Sequence, residues 1–308
     1  MEQKITPSTA KTWFGLIFSL LFVWNVTAQT TVFSDDFSAN QSATYTTSGT
    51  ISSSAWTASR SGNDWGARRH TTSSQLELTN DVGGTGNVNG WILASTSATS
   101  FSSPYNTTLG SNTGDIIWTF NMRQSQTDPA GFVAGSYGVA YILAGQGTTA
   151  ATAGNGYAVV LGQAGTTDSV RLVRYATGLQ GTLTNLITSN TVGLTDFGTN
   201  YLSIKVTYSP NTDQWELFVR NDGASAFADP AAGTLVSQGA VVNTTYVATA
   251  LTVMGGYWQG STAASQTAFF DNAKVTVAPV LTATPTTLTF GYQGSGTSSA
   301  SQSFNLSG

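Results

Sequence analysis

From residue 201 to residue 221 the chain alternates between apolar and polar side chains. Leu202, Ile204, Val206 and Tyr208 precede a turn, and Trp215, Leu217 and Val219 follow it with the same period. A period of two places one set of side chains on one face of a strand. The intervening Ser209-Pro210-Asn211-Thr212-Asp213 supplies turn chemistry, because proline fixes φ and Asn and Asp tolerate turn conformations. The segment therefore reads as a β-hairpin with one buried face. The period recurs over residues 115–123, where Ile116, Trp118, Phe120 and Met122 share a face, and again over 169–175. Residues 137–144 (YGVAYILA) and 156–161 (GYAVVL) are continuously apolar and read as central strands. Further strands are expected at 75–79, 90–94, 234–238, 250–258 and 268–277. Composition agrees: only 3 Glu and 4 Lys occur in 308 residues, so good helix formers are scarce and helical bundles are excluded. With 40% hydrophobic and 11% aromatic residues the chain can bury a core, which excludes disorder. About a dozen strands with short Gly/Asn/Asp turns predict an all-β, two-sheet antiparallel jelly-roll sandwich.

The first 28 residues read as a secretory signal peptide. Lys4 and Lys11 form a basic region, residues 13–24 (WFGLIFSLLFVW) an apolar run, and Val26-Thr27-Ala28 a small-residue cleavage site before Gln29. The run is too short to span a bilayer, and no later stretch is apolar enough to do so. A mature chain outside the cell is expected, with no membrane span. The net charge of −4 and the absence of a basic stripe argue against a nucleic-acid partner. Cysteine is absent, which removes thiolate zinc sites and cysteine nucleophiles. A domain boundary is expected near Ala278-Pro279. Residues 278–308 carry strand patterns at 281–283, 288–292 and 302–306 and read as the opening of an Ig-like domain or a linker. Some 30 residues cannot close an Ig sandwich of about 100, so the rest is expected beyond Gly308.

Several segments of residues 31–277 carry a family likeness. Asp35-Asp36-Phe37 opens this region and Phe269-Phe270-Asp271-Asn272-Ala273-Lys274-Val275 closes it. Between them lie Asp128-Pro129-Ala130-Gly131-Phe132, Tyr137-Gly138-Val139-Ala140-Tyr141-Ile142-Leu143 and Trp215-Glu216-Leu217-Phe218-Val219-Arg220. The set resembles the concanavalin A-like lectin/glucanase and laminin-G-like jelly rolls. More narrowly it is similar to the N-terminal modules of secreted multidomain proteins in gliding bacteria that use type IX secretion. The resemblance implies a cell-surface module followed by Ig-like repeats or by a catalytic domain such as a nuclease, phosphatase or glycosidase.

Catalytic chemistry finds little footing. A glycosidase needs two facing carboxylates, and glucanases of this fold carry a Glu-x-Asp-x-(x)-Glu pattern. Beyond residue 28 this chain has only Glu77 and Glu216, and that pattern is missing. His70 is the one histidine, and no Gly-x-Ser-x-Gly elbow accompanies it. The Gly-rich stretches lack the Lys-Ser/Thr of a phosphate loop. A structural calcium is the metal considered, held by Asp35, Asp36 and Asp271 if the first and last strands are neighbours. Sugar binding needs aromatic platforms with a few polar groups. Trp118 and Trp215 occupy core-facing positions, whereas Trp56, Trp65, Trp91 and Trp258 lie near turns or strand ends. Trp65 with Arg68 forms one candidate binding group, Arg123 with Tyr141 a second if their strands are neighbours and Tyr141 faces out, and Trp258 a further platform. The expected function is a non-catalytic extracellular adhesion module that binds polysaccharide or surface glycan. The alternative is an accessory targeting domain of a secreted hydrolase whose catalytic domain lies beyond Gly308.

Overall fold

The computed structural model describes residues 29–83, 89–132, 137–147, 152–260, 266–279, 282–284, 301–303 and 305–307. The signal-peptide segment and the strand pattern at 288–292 lie outside the described residues. In chain order the first strands are β1 (Thr30–Asp35), β2 (Gly49–Thr50), β3 (Trp56–Ser61), β4 (Gly66–Arg69), β5 (Leu76–Thr79) and β6 (Gly90–Ser97). Next come β7 (Ile116–Gln124), β8 (Gly138–Gly145), β9 (Gly156–Leu161), β10 (Val170–Ala176), β11 (Thr182–Thr188) and β12 (Tyr201–Ser209). The last are β13 (Gln214–Gly223), β14 (Val236–Val242), β15 (Val253–Gly260), β16 (Thr267–Val277), β17 (Thr282–Thr284) and β18 (Asn305–Ser307). Two single 3₁₀ turns, Ala98–Ser100 and Leu109–Ser111, are the helical segments among the described residues.

Two antiparallel sheets of eight strands form the sandwich. The first runs β14-β13-β12-β7-β16-β5-β4, with β1 pairing the C-terminal half of β16. The second runs β11-β10-β9-β8-β15-β6-β3-β2. The expected hairpin is β12–β13, closed by a turn in which Asp213 takes φ +52°. Its inward side chains bury fully, as do Ile116, Trp118, Phe120 and Met122 of β7. Trp215 is the hub of this core: Tyr157 stacks on it at 4.2 Å, Tyr208 lies at 4.7 Å and Trp118 at 5.9 Å.

Strands β8 and β9 are buried on both faces, as their unbroken apolar runs require. Their inner face joins the main core. Their outer face carries Ala140, Ile142, Ala158 and Val160 into a second apolar cluster, which the loop residues Phe132 and Leu179 cover. Short or polar strands escaped the alternation pattern: β1 to β4, and the edge strand β11 with its Thr/Asn-rich TLTNLIT sequence. Such strands are fixed by pairing to a neighbour rather than by their own periodicity. Beyond the sandwich, β17 and β18 pair with each other in a separate two-stranded sheet.

Candidate functional site

Three of the aromatic and ligand positions expected from sequence turn inward. Trp65 and Trp258 are fully buried and pack edge to face at 4.9 Å. Tyr141 stacks on Phe120 at 4.0 Å and is 1% exposed, and burial pushes its hydroxyl far above the usual phenol range. These rings present no platform to solvent. The reason is register: Trp258 sits on the inward phase of β15, and Tyr141 on the inward phase of β8. Arg123 and Tyr141 therefore belong to different sheets and do not form one group.

Arg68 and Arg123 do face outward, and the pairing brings them onto one row of the first sheet. The row reads Arg68, Glu77, Phe269, Arg123 across β4, β5, β16 and β7. Both guanidiniums have partners within the protein. Arg68 Nε donates to Glu77 Oε2 at 2.6 Å, and the guanidinium lies 4.2 Å over Tyr45, whose hydroxyl donates to Glu77 Oε1 at 2.8 Å. Arg123 Nε donates to the Thr199 carbonyl at 2.9 Å, with Tyr201 and Phe269 at 4.7 and 5.9 Å from the guanidinium.

The expected neighbourhood of β1 and β16 holds, with Asp35 opposite Ala273. Asp35, however, is committed inward. Its carboxylate pairs with the Arg69 guanidinium and accepts from the Trp56 indole N–H at 2.9 Å and the Phe37 backbone N–H at 2.8 Å. Asp36 accepts from the Ser38 hydroxyl at 2.7 Å and from its backbone N–H, and these bonds hold its carboxyl below the usual range. Burial pushes Asp271 up to about 7, against a bond from the Asn272 N–H, and the charges of Asp36 and Asp35 add to the rise. Among the described residues no three acidic or histidine side chains gather closely enough to hold a metal ion. The three aspartates thus do not fit the calcium site expected from sequence, because arginine already neutralises one of them.

Glu77 and Glu216 stand on β5 and β13, four strand positions apart in the same sheet. At about 4.8 Å per strand that is about 19 Å, beyond the reach of a glycosidase pair. His70 serves the β4–β5 turn: its Nδ1 accepts from the Thr72 and Ser73 N–H groups at 3.2 and 3.1 Å.

The outer face of the second sheet carries a cleft that the sequence reading did not single out. Of the six tryptophans among the described residues, five are fully buried; Trp91 is only half-buried. Register places Ser61 on one side of it and Gln259 on the other. Trp91 leans on Tyr257 at 6.2 Å, and Tyr257 donates to Gln259 Oε1 at 2.8 Å. With Asn89 and Gln180 these residues line a cleft of about 290 Å³. Gly90, beside Trp91, lets β6 approach β3 and the buried Trp65 ring, since a Cβ there would meet the Ser61 carbonyl and Trp65 Nε1 at 2.3 Å. The sequence signal was present in the Trp91 position at a strand start, but four tryptophans shared it. A second missed residue is Asp168, in the β9–β10 loop. It is fully buried, and burial together with the charges of Asp128 and Asp196 pushes it up to about 7.

No family model matches the chain, and no curated protein matches it. The solved structures to which it is similar include legume lectins. The winged bean acidic lectin complexed with methyl-α-D-galactose superposes with a TM-score of 0.48 at 11% identity, covering 82% of this chain and 99% of the lectin. The Bauhinia forficata lectin in complex with GalNAc gives 0.44 at 13% identity, over 81% and 98%. The metal-free lectin I-B4 of Griffonia simplicifolia gives 0.44 at 11% identity, over 72% and 92%. The assignment of this chain as a two-sheet antiparallel sandwich rests on its own strand order and register.

Proposed function

We propose that this chain is a non-catalytic extracellular module that binds polysaccharide at the Trp91 cleft. The observation that carries the reading is the pairing of the half-buried Trp91 ring with a ring of amide and hydroxyl side chains. The C–H face of a sugar packs on an aromatic surface, while Asn and Gln offer both a donor and an acceptor to adjacent hydroxyls. Ser61, Asn89, Gln180 and Gln259 line the surroundings of Trp91 with such neutral polar groups, Gln259 being already bonded to Tyr257, and without a formal charge. Arg68, Glu77, Arg123 and Asp35 on the first sheet are turned to internal partners and are not part of the cleft.

Export is supported by the N-terminal sequence, and the cell-surface location and type IX route only by the family resemblance. A second reading, a targeting domain within a larger secreted hydrolase, is favoured by one observation. After the last strand of the sandwich the chain continues into the separate β17–β18 pair.

Binding is tested by titrating neutral soluble polysaccharides while following tryptophan fluorescence and gel mobility, with insoluble polysaccharide pull-downs in parallel. Trp91→Ala is expected to abolish binding and to leave a cooperative melt lowered far less than that of Trp258→Ala. Retained binding in that variant, or no response to any neutral polysaccharide, overturns the reading.

A further inference from the structure

The outer face of the first sheet, on the opposite side of the sandwich from Trp91, holds a groove roofed by the connection between β13 and β14. Arg220 pins the roof: its Nη2 donates to the Asp229 carbonyl at 3.0 Å, its Nη1 to the Ala232 carbonyl, and its Nε to Asp222 Oδ1 at 2.6 Å. From the sheet below, Asn121 Nδ2 and the Ser203 hydroxyl donate to the Ala228 carbonyl at 3.0 and 3.1 Å. The roof is thereby fixed at two points, and space remains beneath its Pro230-Ala231 segment.

That space consists of two clefts of about 380 and 460 Å³ that share Thr119, Lys274, Pro230 and Ala231. Each falls in the size range of small-molecule sites. Thr119 is the floor. The register places Lys205 on one side of it and Lys274 on the other. These are the only two lysines after residue 28, in a chain of net charge −4. Neither makes an ion pair among the described residues. The Lys205 ammonium is steadied 3.6 Å over the Phe218 ring, which leaves its donors available. Among the described residues the larger cleft has no acidic lining; Gln29, Thr119, Thr234 and Thr276 supply its neutral polar groups. The smaller cleft adds three carboxylates: Asp35, held by Arg69, and the acceptors Asp36 and Asp229, whose Oδ1 atoms already accept from the Ser38 and Ala231 N–H groups.

We propose that this groove is a second binding site, and that it takes an acidic saccharide. The oxyanion sits between Lys205 and Lys274, and the neighbouring hydroxyls donate to Asp36 and Asp229. The charge pattern selects this chemistry. Two unpaired ammonium groups flanking one hydroxyl attract a single carboxylate or sulfate ester. Acidic acceptors lining the adjoining cleft favour hydroxyl donors and repel a run of anions. A polyphosphate backbone or an acidic peptide would bring a second negative charge against Asp36 or Asp229.

The test is calorimetric titration of the whole protein with four probes: tetragalacturonate, a sulfated galacto-oligosaccharide, its unsulfated counterpart and hexaglutamate. At least one of the acidic oligosaccharides is expected to bind with an affinity that falls as salt rises, and hexaglutamate is expected not to bind. Preference between the two names the oxyanion, carboxylate or sulfate. Lys205→Ala and Lys274→Ala are each expected to weaken binding about tenfold, and Lys→Arg at either position to keep it within a few-fold. Lys→Gln replaces Lys→Ala if the melting curve shows damage to the fold. The proposal is overturned if neither acidic oligosaccharide binds, if the double lysine variant binds as the wild type does, or if hexaglutamate binds equally well. Any response to the neutral probe is scored against Trp91→Ala, so failure here is separable from failure of the Trp91 reading.

Discussion

Asp168 and Asp271 show what desolvating a carboxyl costs when, among the described residues, no ion pair holds it. Both are pushed up to about 7 by burial first and by nearby acids second, whereas the same groups titrate near 3.9 in an unfolded chain. Between about pH 4 and pH 7 the folded state therefore holds protons that the unfolded state has lost, and stability falls as pH rises through that window. The melting temperature is expected to decline from pH 4 to pH 8, and Asp168→Asn combined with Asp271→Asn to flatten the decline. Equal slopes for the two proteins in a pH series of thermal melts would show that these carboxyls carry no such penalty. Asp35 is the opposite case, since Arg69, Trp56 and Phe37 all serve its carboxylate. Three aspartates looked alike in the sequence. Only their partners separate a strand-end carboxylate tied to arginine from one left to shed its charge.

At the scale of the element, the decisive variable is the phase of each strand. On β15 the alternation sends Trp258 inward onto Trp65, and on β6 it sends Trp91 outward beside Ser61 and Gln259. Trp258→Ala is thus expected to cost about 3–5 kcal/mol, the usual loss for emptying a buried aromatic site. Trp91→Ala is expected to cost well under half of that, because a half-buried ring gives up less area and leaves no closed cavity. Denaturant melts of the two variants measure the difference, and comparable losses would mean that Trp91 is a core residue. The phase was readable wherever a strand alternated cleanly, as in β7, β12 and β13. It was not readable in β15, whose VMGGYWQG sequence is buried on both faces and shows no period of two. The same holds for β8, so the sequence leaves the direction of Tyr141 open, and the structure turns it inward to stack on Phe120.

The whole molecule is a sandwich whose two outer faces differ. One is sealed by a second apolar cluster with the Trp91 cleft at its rim, and the other is polar and roofed by the β13–β14 connection. The sandwich closes on itself at β16, which pairs β1, β5 and β7, and β17 and β18 add no strand to either large sheet. A chain ending at Pro279 is therefore expected to melt within about 2 °C of the longer protein, a shift below what a loss of 1 kcal/mol gives at this size. A drop of several degrees in a scanning calorimeter would show that the following segment is part of the folded unit. By itself the sequence determined the all-β class, the β12–β13 hairpin and the Trp118–Trp215 core. Those follow from local periodicity and turn chemistry, which act over a few residues. Only the tertiary structure decided which tryptophan reaches solvent, that Arg68 and Arg123 share a row, and that two lysines 69 positions apart flank one threonine. Such facts depend on register between strands distant in the chain, and register is set by the packing of the whole sandwich rather than by any one segment.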